Sequence, residues 1–335
     1  MFAVLVPTVL YRGAVLTESP RPALSVAAVL GAALIWSSSF AVTKVALTEV
    51  PPMTLGALRF ALAALILGAV VHAGPDRRRL PSPRQRLFIG LAGLLGITAY
   101  FALENVGVDL ATASDATLIV ASYPILTLVL EVLAGRAAIS PVRLTGMLVA
   151  VAGVWLVVQG RPGGSHSLWG DLLLIVAGVV WAVYNMLARR DGSGASPIVV
   201  TYYQTLAGAG GFVLLSLSEA DRWSVPGGSA VLRIGFLAGL CSVAAFLLYN
   251  HGLRGLEPSV AVNLLNIVPV AGSVWAVVLA GERLTLAQVL GGAVVIAGVT
   301  LGLHRGRKTA SGAPEAAASR ISERPPASAP RPPPR

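Results

Sequence analysis

An internal repeat constrains the fold of this chain more than any other feature, because the sequence is similar to itself at an offset of 145 residues. The segment around Trp36 and Lys44 is matched by the segment around Trp181 and Arg189. Further matching pairs at this offset are Pro52 and Pro197, Asn105 and Asn250, Gly107 and Gly252, Pro124 and Pro269, Gly146 and Gly291, and Gly153 and Gly298. The chain is therefore predicted to contain two copies of one structural unit.

The composition indicates a membrane protein. Apolar residues make up 55% of the chain and charged residues 12%, with a mean hydropathy of +0.77, whereas soluble proteins contain roughly 25% charged residues. A helix needs about 20 apolar residues to cross the bilayer. Such segments are predicted near 23–46, 53–73, 87–106, 112–134, 141–159, 168–189, 197–217, 230–250, 258–279 and 286–304. We therefore expect an all-α polytopic membrane protein with ten transmembrane helices.

Each copy of the repeat contains five of these segments, and the odd number decides the topology. A chain that crosses the bilayer five times ends on the opposite side, so the second copy is predicted to be inverted relative to the first. Inverted repeats are typical of transporters, whose substrate site lies near the midplane between the halves. The predicted organisation is a cytoplasmic leader at 1–22, a first five-helix repeat at 23–159, a second at 160–304 and a disordered cytoplasmic tail at 305–335.

The loops predict the orientation, since cytoplasmic loops are rich in Lys and Arg. With the N-terminus inside, most basic residues fall in inner loops, among them Arg77, Arg78, Arg79, Arg84, Arg86, Arg136, Arg143, Arg189, Arg190 and Arg254. The predicted outer loops contain Arg161, Arg222 and Arg283. Both termini are therefore expected in the cytoplasm, with the chain in the inner (plasma) membrane. Because the net charge of +10 is spread over loops and tail, no nucleic-acid partner is expected.

Few charged residues fall inside the predicted spans, where each costs roughly 2.5–3.5 kcal/mol. Arg59 lies in the second span and Glu104 lies toward the outer end of the third. Two interpretations are open: the two side chains pair with each other, or Arg59 faces a cavity and Glu104 binds a cationic group or a proton. Gln204 occupies the symmetry position of Arg59, which would let one half bind an anionic group and the other a neutral one. Asp115 opens the fourth span and is expected to cap its helix.

Aromatic and small polar side chains form a second set of candidates for a substrate cavity: Trp36, Ser38, Phe40, Tyr100, Asn105, Tyr123, Trp181, Tyr184, Asn185, Tyr203, Gln204, Tyr249, Asn250, Asn263 and Asn266. Tyr and Trp near the ends of spans usually anchor a helix at the interface instead. Trp36 and Trp181 lie nearer mid-span, and Asn263 and Asn266 share one helix face. Together with the two charged residues, this set is the predicted substrate-binding site.

Prolines and glycines inside the spans predict how the helices bend and pack. Pro124 and Pro269 fall mid-span at symmetry-related positions, and each removes a backbone hydrogen bond. Lipid tolerates such a gap only where protein or water covers it. The prolines are interpreted as hinges that line the pathway, with a simple kink as the alternative. Two Gly-x-x-x-Gly patterns, at 235–239 and 298–302, are expected to allow close helix packing.

With these residues the chain resembles the EamA-type family of the drug/metabolite transporter superfamily over about residues 23–304. The resemblance rests on Trp36, Phe40 and Lys44, on Trp181 and Asn185, on the segment 51–60 with Arg59, on Tyr123 and Pro124, on Val268 and Pro269, and on the segment 280–285 followed by Gly291 and Gly298. It implies a carrier of small metabolites, often an exporter of amino acids or related compounds, with both termini in the cytoplasm. The segment 135–140 reads Gly-Arg-Ala-Ala-Ile-Ser where Gly-Glu-Arg-Leu is usual, so Glu282 lacks an acidic counterpart in the first half.

These features favour a secondary transporter that works by alternating access through a central cavity between the repeats. Its substrate is expected to be a small polar or amphipathic metabolite, and Glu104 is the candidate for proton coupling. The alternative is a polytopic membrane enzyme acting on lipid-linked substrates, but the four histidines are scattered and no phosphate-binding loop is present. A membrane scaffold or receptor would need larger loops. No catalytic residue, metal or cofactor is predicted, and the oligomeric state is left open.

Overall fold

The computed structural model describes residues 22–78, 80–135, 140–159, 168–188, 195–252, 256, 264–265 and 267–303. Over these ranges the regular elements are all helical and none is a strand, which confirms the predicted all-α class. The α-helices are α1 (Pro22–Ala46), α2 (Pro52–Ala73), α3 (Pro83–Gly93), α4 (Tyr100–Leu110), α5 (Ala113–Val120), α6 (Tyr123–Leu133), α7 (Pro141–Gln159), α8 (Leu168–Ala188), α9 (Pro197–Ser216), α10 (Gly228–Phe236), α11 (Ala245–Gly252), α12 (Ile267–Ala280) and α13 (Leu286–Leu303). The residues 1–21 of the predicted leader and the predicted tail lie outside the described residues.

Among the described residues, eight helical runs are long and apolar enough to cross a membrane. They are Ala23–Ala46, Pro52–Ala73, Pro83–Leu110, Ala113–Leu133, Pro141–Gln159, Leu168–Leu187, Pro197–Arg222 and Gly228–Tyr249. Two further apolar helices, Ile267–Ala280 and Leu286–Gly302, are shorter than 18 residues within the described ranges. These two coincide with the predicted ninth and tenth spans, and most of 258–266, where the ninth was predicted to begin, is not described.

Local sequence sets many of the helix boundaries. Proline is the first residue of α2, α3, α7 and α9, at Pro52, Pro83, Pro141 and Pro197. Its fixed φ suits that position, and the N–H that it lacks would have no partner there. Gly135 and Gly281 follow α6 and α12 with a φ of 68°, a left-handed conformation that glycine adopts without steric cost and that commonly ends helices.

Helices α7 and α13 pack with their backbones in contact. A Cβ atom on Gly153 would lie 2.6 Å from the backbone nitrogen of Val295, and one on Gly291 would lie 2.8 Å from that of Val157. The later residue of α7, Val157, thus meets the earlier residue of α13, Gly291, so the two helices are antiparallel. The glycines of the 298–302 pattern belong to this interface, so the close packing expected for that pattern is confirmed.

The other Gly-x-x-x-Gly pattern has a different environment. A Cβ atom on Gly235 or Gly239 would meet no atom of the described residues within 4 Å. The expectation of close helix packing at 235–239 is therefore wrong. The spacing places two small residues on one helix face, but it does not determine whether another helix covers that face.

One close contact of a glycine occurs twice in the molecule. In its second occurrence, each residue is replaced by its symmetry mate from the other half. A Cβ atom on Gly107 would lie 3.1 Å from the carbonyl oxygen of Gly170, and one on Gly252 would lie 2.8 Å from that of Ser25. At the offset of 145 residues, Gly107 corresponds to Gly252 and Ser25 corresponds to Gly170. The α4–α8 and α1–α11 contacts are thus equivalent, and each brings the end of one helix against the beginning of another.

The symmetry-related helices α2 and α9 are also antiparallel. Glu219, just beyond α9, accepts a hydrogen bond of 2.8 Å from the backbone nitrogen of Thr54 near the beginning of α2. Near the other ends, the Tyr202 ring lies 5.5 Å from the His72 ring, measured between centroids. Arg59 and its symmetry mate Gln204 therefore lie on opposite sides of the middle of the α2–α9 pair.

Candidate functional site

Arg59 of α2 is almost fully buried, with 2% of its surface exposed. Its Nε donates a hydrogen bond of 3.0 Å to Oγ of Ser242, and its guanidinium carbon lies 5.0 Å from the centroid of the Phe60 ring and 4.9 Å from that of Phe101. The terminal Nη2 is buried and has no hydrogen-bond partner. Cation–π contacts compensate part of the cost of burying the charge, but one donor of this guanidinium is unused.

A π-helix at Leu237–Ala244, between α10 and α11, positions the Ser242 hydroxyl. The hydroxyl donates a hydrogen bond of 3.0 Å to the carbonyl oxygen of Leu237, five residues earlier. Because the hydrogen of the hydroxyl is used in this way, its oxygen accepts from Arg59. A second π-helix, Leu94–Ala99, joins α3 to α4 at the matching place in the first half. The sequence reasoning predicted neither π-helix, although π-helical turns often occur at functional sites.

Glu104 of α4 is also buried, with 5% of its surface exposed, and its carboxylate accepts a hydrogen bond from the Tyr100 hydroxyl one turn earlier. Both residues are described, and no ion pair within 4.0 Å joins Glu104 to Arg59. The Phe101 ring lies against the guanidinium, while Tyr100 bonds to the carboxylate. The direct pairing that one interpretation of the sequence offered is thus absent.

A row of aromatic rings connects Arg59 to Gln204. Successive ring centroids lie 4.7 Å apart for Phe101 and Tyr100, 5.1 Å apart for Tyr100 and Trp181, and 5.2 Å apart for Trp181 and Tyr184. The Tyr184 hydroxyl then donates a hydrogen bond of 3.0 Å to Oε1 of Gln204. We call Arg59, Tyr100, Phe101, Glu104, Trp181, Tyr184 and Gln204 the central cluster. It draws on α2 and α4 from the first half and on α8 and α9 from the second.

Trp36 fixes α1 against the π-helix Leu237–Ala244. Its Nε1 donates a hydrogen bond of 3.0 Å to the carbonyl oxygen of Cys241, the residue before Ser242. Its ring centroid lies 5.5 Å from that of Phe246 and 5.4 Å from that of Tyr249. Trp36 and Tyr249 are both buried. These two predicted site residues therefore pack beside the segment that positions Arg59.

Four of the other predicted site residues donate hydrogen bonds to backbone carbonyl oxygens, Ser38 and Asn185 within their own helices and Asn105 and Tyr123 between helices. Ser38 donates to the carbonyl oxygen of Ile35 at 2.8 Å, Asn105 to that of Pro52 at 2.9 Å, Tyr123 to that of Leu174 at 2.7 Å, and Asn185 to that of Trp181 at 2.9 Å. Phe40 is buried in the core. The Tyr203 ring lies 5.4 Å from the Arg86 guanidinium rather than in the central cluster. The side chains of Asn250, Asn263 and Asn266 lie outside the described residues.

The helix break in the fourth predicted span precedes Pro124. Helix α5 ends at Val120 and α6 begins at Tyr123, so that Pro124 is the second residue of α6. At that position the lost backbone N–H costs little, and the interruption lies at Ala121 and Ser122. Pro269 is the third residue of α12, and the residue directly before α12 is not described. The hinge role of both prolines stays a prediction.

Two glycines at the π-helix Leu94–Ala99 allow the central cluster to assemble. A Cβ atom on Gly93 would lie 2.6 Å from Cα of Gln204, and one on Gly96 would lie 2.5 Å from Cδ2 of Tyr184. Glycine at these positions lets α8 and α9 approach this part of the third span. The residues that sequence reasoning missed were Phe101 and Ser242. A serine in an otherwise apolar segment was the only local signal for Ser242.

Carboxylates at one end of the helices cap helix N-termini that belong to other spans. Glu282 accepts hydrogen bonds from the backbone nitrogens of Ala113, at 2.6 Å, and Ser114, at 2.9 Å, and Glu219 accepts from Met53 and Thr54 of α2. Such donors have no partner within the helix. Asp115, which was expected to cap α5, instead accepts from Nε2 of Gln288 at 2.9 Å. We call this end of the molecule the Glu282 end.

A partly exposed ion pair lies at the same end. Nη1 of Arg233 donates a hydrogen bond of 2.7 Å to Oε1 of Glu49, and the Ser229 hydroxyl donates one of 3.1 Å. The hydrogen bond from Arg233 lowers the pKa of the Glu49 carboxyl below its ordinary value, and the bond from Ser229 adds to this effect. Within the described ranges, no group of three or more His, Cys, Asp or Glu residues is placed to hold a metal ion.

Together, the fold and the buried polar cluster are those of a multi-pass helical membrane protein with two similar halves. The EamA-like transporter family matches the chain twice, at residues 23–159 and again at 168–303. The chain therefore belongs to the EamA-like transporter family. This membership, with the eight apolar helical runs, points to a membrane transporter rather than an enzyme.

Known relatives agree with this assignment. The chain is 27% identical over 274 residues to an uncharacterized transporter of Archaeoglobus fulgidus. The aligned region covers 80% of this chain and 93% of the relative. It is 26% identical to the uncharacterized transporter YyaM of Bacillus subtilis, over 81% of this chain and 90% of the relative. The uncharacterized inner membrane transporter YedA of Escherichia coli is 24% identical, over 80% of this chain and 87% of the relative.

A solved crystal structure has a similar fold. It superposes with a TM-score of 0.61 over 86% of this chain and 99% of the other, at 22% sequence identity. At that identity the likeness concerns the fold alone.

Proposed function

We propose that this protein is a secondary transporter that exports small metabolites, such as amino acids or related compounds, by alternating access through a cavity at the central cluster. The observation that carries the proposal is the buried guanidinium of Arg59 with an unused donor, held among aromatic rings from both halves. Buried charges in membrane proteins usually face a substrate pathway or a partner. Membership in a transporter family supports the same function.

The proposed architecture is ten spans in two inverted five-helix repeats. It is supported by contacts that recur with exchanged partners, such as Gly107 with Gly170 and Gly252 with Ser25, because a twofold axis produces such an exchange. The antiparallel packing of the symmetry-related helices α2 and α9 favours an axis in the membrane plane. The distribution of basic loop residues favours cytoplasmic termini, which would make the Glu282 end the outer end. The halves would rock about the break at Ala121 and Ser122 and its counterpart near Pro269.

Transport is tested with the purified full chain reconstituted in liposomes. Vesicles preloaded with an unlabelled amino acid are expected to accumulate the same labelled compound by counterflow, which needs alternating access but no added energy. Empty liposomes and vesicles without preloading are the controls. Chemical turnover of a lipid-linked substrate with no flux of any small metabolite would instead favour the membrane enzyme. Medium and cytoplasm of cells that lack or overproduce the protein would then give the direction.

Proton coupling through Glu104 is the second part of the proposal. Its carboxylate lies inside the protein beside Tyr100, where proton binding would change the balance between conformations. Glu104→Gln keeps the shape and removes the titrating group, so we expect uptake driven by a pH gradient to fall to the level of protein-free vesicles while counterflow at equal pH continues. Tyr100→Phe is the matched control, since it removes the hydrogen bond and keeps the carboxylate. Unchanged pH-driven transport in Glu104→Gln would exclude this role.

A further inference from the structure

We propose that Arg59 is the anchor for the carboxylate of the transported substrate, and that the substrates are therefore small monocarboxylates with an apolar body. This inference rests on the proposed function, because it names the chemistry of the molecule that the central cluster would bind.

The hydrogen bonds of Arg59 are incomplete in a way that suits an anion. A guanidinium presents five N–H donors in a planar fork. The Ser242 hydroxyl takes the Nε donor, and the buried Nη2 has no partner. Leaving a buried charged donor unsatisfied is costly, so an acceptor that another group supplies during the transport cycle would relieve this cost. A carboxylate matches the geometry of the fork better than a neutral acceptor does.

Glu104, which the sequence suggested as a partner of Arg59, does not supply this acceptor. Glu104 accepts from the Tyr100 hydroxyl and makes no ion pair within 4.0 Å with Arg59. The rings of Phe60 and Phe101 contact the guanidinium but provide no strong hydrogen-bond acceptor. Protein groups thus compensate the charge of Arg59 in part, and one anionic group would complete this compensation.

The surroundings of Arg59 define the rest of the ligand. Phe60 stacks on Phe212 with ring centroids 5.6 Å apart, and Phe101 continues into Tyr100 and Trp181. Such aromatic walls favour an apolar body over a strongly hydrated one. At the symmetry position of Arg59 the chain has the neutral Gln204, which Tyr184 already contacts. One cation and one amide predict a preference for one carboxylate over two.

The experiment compares two acids with their own amides and adds one dicarboxylate. The purified full chain in detergent is titrated with 3-phenylpropionate, its neutral amide 3-phenylpropionamide, leucine, leucinamide and succinate, and binding is measured as ligand-dependent thermal stabilisation. We expect each monocarboxylate to bind roughly tenfold or more tightly than its amide, and succinate to bind more weakly than 3-phenylpropionate. Equal binding of acid and amide, or binding of no monocarboxylate, would overturn the inference.

Variants of Arg59 assign the preference to this side chain. Arg59→Gln copies the residue of the symmetry-related position, and we expect it to abolish the difference between acid and amide. Arg59→Lys keeps the charge and loses the fork, so its preference should be intermediate. A full preference in folded Arg59→Gln would overturn the assignment. If Arg59→Gln does not fold, Arg59→Lys decides, and a preference equal to that of the unmodified chain counts against the inference.

Flux measurements separate this inference from the proposed function. The same ligands are assayed by counterflow in liposomes. Binding of monocarboxylates without flux of any compound would overturn the transporter proposal and support the carboxylate site. Flux that does not distinguish acid from amide would support the transporter and overturn the carboxylate site.

Discussion

The α7–α13 interface and the central cluster are both buried, but they are built from different groups. In the first, glycines bring two backbones together, as at Gly153 and Val295, and every contact there improves packing. In the second, Arg59 and Glu104 occupy positions where a charge costs roughly 2.5–3.5 kcal/mol, and one guanidinium donor is unsatisfied. Under the proposed function, the comparison teaches that packing and substrate binding depend on different parts of this helix bundle. It also predicts that substitutions in the two regions have different consequences.

The largest loss of stability is expected at the packed interface. A Cβ atom on Gly298 would overlap the backbone of Ala150, so Gly298→Ala should destabilise the protein by about 1–3 kcal/mol, and Gly298→Leu should prevent its recovery as a monodisperse protein. Thermal unfolding in detergent and size-exclusion chromatography measure this. Gly235→Ala is the matched control, because its Cβ would meet no atom within 4 Å. Equal effects at the two glycines would remove the distinction between a packed and an open Gly-x-x-x-Gly pattern.

A smaller loss is expected at the Glu282 end, where the carboxylates of Glu282 and Glu219 cap helices of other spans. Glu282→Gln keeps one acceptor for Ala113 and Ser114 but removes the charge at the N-terminus of α5. Loss of such a cap costs about 1 kcal/mol, which lowers the unfolding temperature while the acid–amide preference in ligand binding is retained. Glu219→Gln, which weakens the cap of α2, should behave alike. A changed ligand preference in either variant would show that these caps contribute to the site.

The smallest effect is expected at the exposed pair of Glu49 and Arg233, and it depends on pH. Since the bond from Arg233 lowers the pKa of the folded carboxyl, the unfolded chain takes up the proton first as the pH falls. The stabilisation is therefore complete above the ordinary glutamate pKa and is lost as the pH falls through the lowered value. We measure the unfolding temperatures of the unmodified chain and of Arg233→Gln between about pH 6 and pH 3. The two temperatures should converge as the pH approaches about 3. A difference that grows toward acid pH would contradict this sign.

The same comparison shows which parts of the site could be read from the sequence. Arg59, Glu104 and Tyr100 were found because charged and aromatic groups stand out in apolar spans, and Gln204 was found through the repeat. Phe101 and Ser242 were missed because one Phe among many apolar residues carries no local signal and a single Ser carries only a weak one. The partner of Arg59 was also unpredictable, since Ser242 lies 183 residues away and its position depends on a π-helix.

By itself, the sequence determined the all-helical class, the apolar runs and the duplication, because helical hydrophobicity and a fixed repeat offset are properties of the chain order. Only the tertiary structure decided which Gly-x-x-x-Gly pattern is packed and which polar groups have partners. It alone showed that Glu282 caps α5 while Glu104 bonds to Tyr100 and not to Arg59. The physical reason is that hydrogen bonds and backbone contacts form over a few ångströms, and the crossing of distant helices sets which atoms come that close.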